Sequence, residues 1–440
     1  MDRSVFEERR RRLLDRLAEN GSAAAVLRAA PERVRSNDTH HVYRQDSDFF
    51  YLTGCAEPNA VCVLAPHLDA PFTLFVRPRD RAMETWEGIR LGVAGALSEL
   101  GADKAHPIAD LDTEIRKLLS TCDEVFVDLN IDSRLDHQAM AWIRQGRAVR
   151  HREGVGPTGL KDVGALLGEM RLVKSSGELD AMRRAAQISV EAHRSAMAAC
   201  RPGVPEYVLE AELAYVFRRS GASGPAYPSI VASGSNATIL HYVENTRTIE
   251  DGDLILIDAG SEFDHYASDV TRTFPASGRF SSPQRDVYQV VLEAQSVAID
   301  LCRPGNSFED LNRVATRRLV EGMVDLGLLS GEPDALIESG EHKRFYMHGI
   351  GHWLGMDVHD VGDIKVDGAS RSFVPGMVVT VEPGIYVRTD EEDVPDGLRG
   401  IGVRIEDDVA IADGAPDNLT SGLAREIDEV EACVGLGVQV

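Results

Sequence analysis

The run Leu254-Ile255-Leu256-Ile257 has no polar residue, yet it ends on a carboxylate, Asp258. Four consecutive apolar side chains read as a strand covered on both faces. An ionised acid at the end of such a strand costs several kcal/mol unless a cation or hydrogen-bond donors replace its water. The arrangement recurs further along the chain. In DGDLILIDAG and VPGMVVTVEPG a glycine precedes the acid by six residues (Gly252 to Asp258, Gly376 to Glu382), and another follows two later (Gly260, Gly384). Upstream of each copy a helical stretch closes on the same tetrapeptide, Cys200-Arg201-Pro202-Gly203 and Cys302-Arg303-Pro304-Gly305, before a second helical pattern. Two rounds of helix, helix and acid-tipped strand predict a pseudo-twofold α/β core, with its carboxylates meeting at the centre.

The remaining chemistry gathers around those acids. Asp269 lies eleven residues beyond Asp258, across a polar segment with Gly260 and Asp264 that suits a hairpin return. Singly, the two would read as a turn acid and a capping acid; as a pair at a buried strand end they point to a site. Of thirteen histidines, four (His342, His348, His352, His359) fall within eighteen residues. His348 and His352 are four apart, but Gly349, Gly351 and Gly355 argue against a helix, so an extended segment must present them on one face. His359 joins them only if the backbone breaks, and Gly355 is the expected place. Glu406 follows another apolar run, GIGVRIEDD, in which Arg404 sits two residues earlier on the same face and can pair with an acid of the cluster. Of the adjoining Asp407 and Asp408, at least one is expected to face solvent.

Asp258, Asp269, Glu382 and Glu406 together bring four negative charges, which two divalent cations neutralise; without metal they could not all ionise at close range. Four carboxylates and one imidazole suit Mn²⁺, Fe²⁺, Co²⁺ or Mg²⁺ better than a thiolate or all-histidine zinc site. Two of the acids can bridge a metal pair.

The rest of the chain sets the frame. At 440 residues it has room for two or three domains. Short β-rich runs alternating with helical stretches such as ETWEGIRLGVAGALSEL predict an N-terminal α/β domain over residues 1–170. A glycine-containing break, Glu153–Asp162, precedes a second domain over 171–440, whose first helix opens at Ser175 with Glu178 three residues on. A net charge of −24 disfavours binding to nucleic acid or anionic lipid. Met1 to Leu17 reads as an amphipathic helix rather than a signal peptide, and no run approaches a membrane span. The six scattered cysteines form no C-x-x-C pair and suit buried thiols in a reducing cytoplasm.

With these residues in view the sequence strongly resembles the pita-bread metallopeptidases. The likeness rests on DAG…ASDVTRTF, HGIGHWLGMDVHDVG, VEPGIYV and GVRIEDD, and it is closest to the aminopeptidase P (Xaa-Pro aminopeptidase) branch. Upstream, YRQDSDFFYLTG looks like that branch's N-terminal signature, so the likeness spans nearly the whole chain. It implies an α/β (α+β) fold, with a creatinase-like N-terminal domain before a pita-bread catalytic domain. It also implies Asp258, Asp269 and Glu406 on one metal and Asp269, His352, Glu382 and Glu406 on a second, with Mn²⁺ first and Co²⁺, Fe²⁺, Zn²⁺ and Mg²⁺ as alternatives. Outer roles fall to His241, His348, His359 and Arg404, with His241 and His359 binding substrate and Glu382 moving the proton. The implied activity is release of the N-terminal residue from peptides with proline second, in a cytoplasmic homo-oligomer (tetramer or dimer). Trp86 resembles a residue lent to a neighbouring subunit's site; Arg152 lies in a poorly matching stretch and is not assigned. A prolidase, a metal-free creatinase and an inactive peptide-binding module on the same scaffold are the competing readings. The presence of all five ligand residues weighs against the last two.

Overall fold

A computed structural model of the chain describes residues 2–129 and 133–435. Two compact units emerge, Met1–Met170 and Arg171–Val440.

The first unit is built on a mixed six-stranded sheet, in the order Lys104–Pro107, Phe72–Val76, Val61–Leu64, Ala23–Arg28, Glu124–Val127, Gly159–Asp162. Ala23–Arg28 runs antiparallel to Val61–Leu64 and parallel to Glu124–Val127. Its central strands are mostly apolar and almost wholly buried, as strands covered on both faces are. The segment YRQDSDFFYLTG ties this unit together. Asp46 caps the helix Ser47–Thr53 by accepting from Phe49 N at 2.8 Å, and Gly54 closes it at φ 67°. The Gln45 amide donates to the carbonyls of Cys55 and Glu57 and accepts from Ala30 N.

Two local expectations are corrected here. ETWEGIRLGVAGALSEL is not one helix. It breaks into Arg81–Glu87 and Gly92–Ser98, with Gly88 at φ 95° closing the first and Gly92 at φ 68° opening the second. The Glu153–Asp162 break also does more than connect, since Gly159–Asp162 forms the parallel edge strand beside Glu124–Val127.

The second unit repeats its elements. Helices Ser176–Ala199 and Glu206–Arg219 precede the strand Leu254–Asp258; helices Ser282–Ile299 and Phe308–Asp325 precede Val378–Val381. Reciprocal capping boxes at Ser175/Glu178, Ser281/Gln284 and Ser307/Asp310 start three of the four helices. Leu254–Asp258 lies between Ile230–Ser233 and Thr271–Pro275 in an antiparallel sheet, whereas Val378–Val381 pairs with Asp407–Ala410. Leu254, Ile255, Leu256 and Ile257 are all buried, at roughly 1.5–3 kcal/mol each. Their burial outweighs the several kcal/mol that dehydrating Asp258 costs.

Candidate metal centre

Asp258, Asp269, His352, Glu382 and Glu406 line one cavity of about 770 Å³ in the second unit. His241, His348, His359 and Arg404 line it too.

The first two acids meet because the chain turns back on itself. Asp258 is the last residue of its strand and pairs in register with Thr271. Between them a tight hairpin, Ser261–Phe263 with Tyr266–Ala267, turns through Asp264 and His265 at φ 50° and 67°. A Cβ on Gly260 would lie 1.6 Å from the Ser268 carbonyl oxygen, so only glycine permits this return. One hydroxyl then spans both carboxylates: Tyr227 Oη is 2.6 Å from Asp258 Oδ1 and 2.5 Å from Asp269 Oδ1.

His352 and Glu382 are brought together across neighbouring extended segments. Thr380 N donates to His352 O and Glu382 N to Ile350 O, with Trp353 bridged to Val379. A side chain on Gly351 would come within 2.0 Å of Thr380 O, which explains a glycine beside the histidine. His352 Nδ1 lies 2.9 Å from Trp353 O, so that nitrogen carries the proton and donates it. Nε2 is then aimed at Asp269 Oδ2, 3.5 Å away, and Glu382 Oε1, 3.7 Å away. Gly355 is where the chain departs from the strand, and its reason is close approach: a Cβ there would strike Asp360 Oδ2 at 2.0 Å. The irregular stretch that follows returns His359 to within 4.3 Å of the His352 ring, centroid to centroid.

Glu406 lies just beyond the strand Gly402–Arg404 and accepts from Thr271 Oγ1 at 2.7 Å. Behind it the fully buried Arg272 donates to the carbonyls of Glu406, Thr271, Leu423 and Ala424 and to Asp407 Oδ1. The solvent-facing position expected for Asp407 or Asp408 is not found, as both are buried. Asp407 receives Arg272, Gln295 and Thr420, while Asp408 receives the Asp269 amide at 3.1 and 3.2 Å. Each acid therefore braces a neighbouring segment of the site.

A cation suits this donor set. Asp269, His352 and Glu406 offer ligand atoms within 4.8 Å of one another. Burial pushes the carboxyls of Asp258 and Glu406 above the usual range, with Asp269 repelling both and Arg404 opposing the rise. Burial takes Glu382 up to about 7 against the pull of His352 and Arg404. For His352, burial disfavours the charge, but the hydrogen bond and charge of Asp269 outweigh it and carry the imidazole up to about 9. The upward shifts mark acids crowded together with too little opposing charge, which a pair of divalent ions would supply. Arg404 supplies one positive charge, donating to Asp258 Oδ2 at 2.5 Å and to Tyr386 Oη at 3.0 Å.

His348 is held away from charge. Burial, helped by Arg404, lowers it to about 4, and its ring lies between Gly349 O at 2.8 Å and Tyr386 Oη at 2.9 Å. Since Tyr386 accepts from Arg404, its own proton goes to His348 Nε2. Trp86 lies in the first unit on Arg81–Glu87 and is 86% exposed, and the cavity is lined wholly by the second unit. Arg152 belongs to the helix Ser133–Glu153. Tyr227, Tyr386 and Arg272 were not anticipated. A tyrosine in GPAYPSI or an arginine in VTRTF has no periodicity or spacing that announces an interior acid partner.

Residues 180–413 match the model of metallopeptidase family M24, and residues 6–126 that of the aminopeptidase P N-terminal domain. The chain is 43% identical over 442 residues to an Xaa-Pro aminopeptidase of Escherichia coli (strain K12), covering 98% of each. Its fold is similar to that of aminopeptidase PepP from Pseudomonas aeruginosa, with a TM-score of 0.95 and 48% identity over 98% of both chains. It is similar also to an Escherichia coli aminopeptidase P variant solved with substrate, with a TM-score of 0.94 and 42% identity over 98% of both.

Proposed function

The chain belongs to metallopeptidase family M24, and on that premise we propose how its site works. It is a metal-dependent exopeptidase, a pita-bread catalytic domain that follows a creatinase-like N-terminal one along the chain. It releases the N-terminal residue from peptides with proline in second position. One observation carries the reading of the site: four carboxylates and an imidazole from separate segments line a single cavity, and burial raises the proton affinities of Asp258, Glu382 and Glu406 there despite the opposing charge of Arg404.

Asp258, Asp269 and Glu406 would hold one ion and Asp269, His352, Glu382 and Glu406 the other, with Mn²⁺ the ion assigned. When bound, such a pair acidifies a water and polarises the scissile carbonyl. Glu382 takes up the proton released and delivers it to the proline nitrogen as that bond breaks, a role suited to a carboxyl whose burial brings it close to neutral pH. Before cleavage that nitrogen carries no hydrogen, so substrate cannot be held there. His241 and His359, both on the cavity wall, donate to the carbonyl oxygen as it gains charge. His348 and Arg404 set the polar wall behind Asp258. The free amine of the substrate finds its counter-charge among the acids.

We assign the enzyme to the cytoplasm as a homo-oligomer, a tetramer or a dimer, in which Trp86 reaches a neighbouring copy's site; its 86% exposure supports that. Among the described residues no helix is long and apolar enough to cross a membrane. The deciding assay compares an Xaa-Pro dipeptide with Xaa-Pro-Xaa tripeptides, in Mn²⁺, Co²⁺ and Zn²⁺ in turn. Cleavage of the tripeptides before proline, fastest with Mn²⁺, is the expected result. Hydrolysis of the dipeptide alone would make the enzyme a prolidase.

A further inference from the structure

Glu206 is fully buried at the first turn of the helix Glu206–Arg219, outside the cavity wall. Among the described residues no ion pair reaches it; the nearby Arg247 guanidinium is turned to Asp253 and Ser233 instead. A carboxylate in that position needs donors, and it has five. Oε1 accepts from Ser233 N at 2.7 Å, Ser233 Oγ at 2.6 Å and Asn236 Nδ2 at 3.1 Å. Oε2 accepts from Tyr242 Oη at 2.8 Å and Arg247 N at 2.9 Å. The helix N-terminus adds its own favourable field.

All five donors come from one segment, residues 233–247, and that segment carries Leu240, His241 and Val243 onto the cavity wall. Between Thr238 and Leu254 it forms no helix or strand, and its backbone pairing is an isolated bridge of Thr248 with Pro205 beyond His241. A second clamp acts at its far side. Asn245, at φ 49°, uses its amide as a strand would, accepting from Val231 N and donating to Ser229 O, both at 2.9 Å. His241 is thus adjacent to Tyr242, one of the residues that Glu206 holds. Without these anchors an irregular exposed stretch would sample many conformations, and a catalytic donor displaced by about 1 Å loses roughly a hundredfold in rate.

We propose that Glu206 is a positioning residue for peptide hydrolysis, acting through its buried hydrogen-bond array on His241 and without touching substrate. This rests on the reading that His241 donates to the substrate. The test is a double-mutant cycle on the Mn²⁺-loaded full chain with an Xaa-Pro-Xaa tripeptide. Tyr242→Phe removes one donor and little volume; Glu206→Gln, which turns an acceptor into a donor facing donors, is the stronger variant. In the wild-type background each should lower kcat by about tenfold or more with KM changed less than about twofold. In a His241→Ala background the same changes should cost less than about twofold. Equal losses in both backgrounds would make Glu206 a matter of stability only and overturn the proposal, as would a Tyr242→Phe enzyme with wild-type kcat. Should His241→Ala alone leave turnover intact, the assignment of His241 to substrate fails and the positioning role with it, while the metallopeptidase reading stands on the same enzyme's activity.

Discussion

In the proposed mechanism Glu382 would have two tasks, holding an ion and moving a proton, and only the second requires a titratable oxygen. Glu382→Gln should therefore lower kcat by about 10²–10⁴-fold, measured as tripeptide turnover with bound metal quantified in the same sample. Near wild-type turnover with full metal would remove the residue from the proton path. The same cluster makes a pH prediction for metal-free protein. Glu382 titrates near 7 in the fold against an ordinary 4.5, and His352 near 9 against 6.5. Both raised values mean that the folded state binds protons more tightly than the unfolded one. Stability is therefore greatest at low pH and is lost through about 4.5–7 for the acid and 6.5–9 for the imidazole. Thermal melts of chelator-treated protein should fall from pH 5 to pH 9, and the gain in Tm on adding Mn²⁺ should grow over that range. A metal-free Tm that rises with pH would contradict the carboxylate clustering.

Between elements, the decisive contacts are backbone approaches. His352 and Glu382 share a cavity because the segment around Gly351 lies flat against Val378–Val381, and the missing Cβ is what allows it. Gly351→Ala should destabilise by about 1–3 kcal/mol and weaken metal binding more than a surface alanine does, checked by denaturant melts and metal titration. Much at this scale was legible beforehand. The acid-tipped strand Leu254–Asp258, the capping box at Ser175 and the pairing of Arg404 with an acid are local or face-related patterns, set by side chains a few residues apart. What escaped was decided by distant partners. Asp407 and Asp408 look like a solvated charge run until Arg272, Gln295 and the Asp269 amide are placed against them. The Gly88 and Gly92 break was hidden because a helical pattern tolerates isolated glycines and only the positive φ values expose it. Tyr227 and Glu206 act through partners up to 42 and 41 residues away, beyond any periodicity.

Over the whole molecule, thiol chemistry is silent. Five of the six cysteines are buried, with Cys433 half-buried, and burial pushes Cys62 and Cys302 up to about 12. A disulfide-exchange reagent should label about one thiol rapidly in the native protein and all six in denaturant. Rapid labelling of several would mean that the core opens.

The cluster also draws on both copies of the repeat, Asp269 from the first and His352 and Glu406 from the second. An ion seated there is a rivet through the two halves of the domain, and at a hundredfold excess over its Kd it adds about 2.7 kcal/mol to their hold on each other. Scarcity of that mineral would then cost a cell the polypeptide as well as its turnover, since unriveted copies unfold more often and meet the proteases that clear such chains.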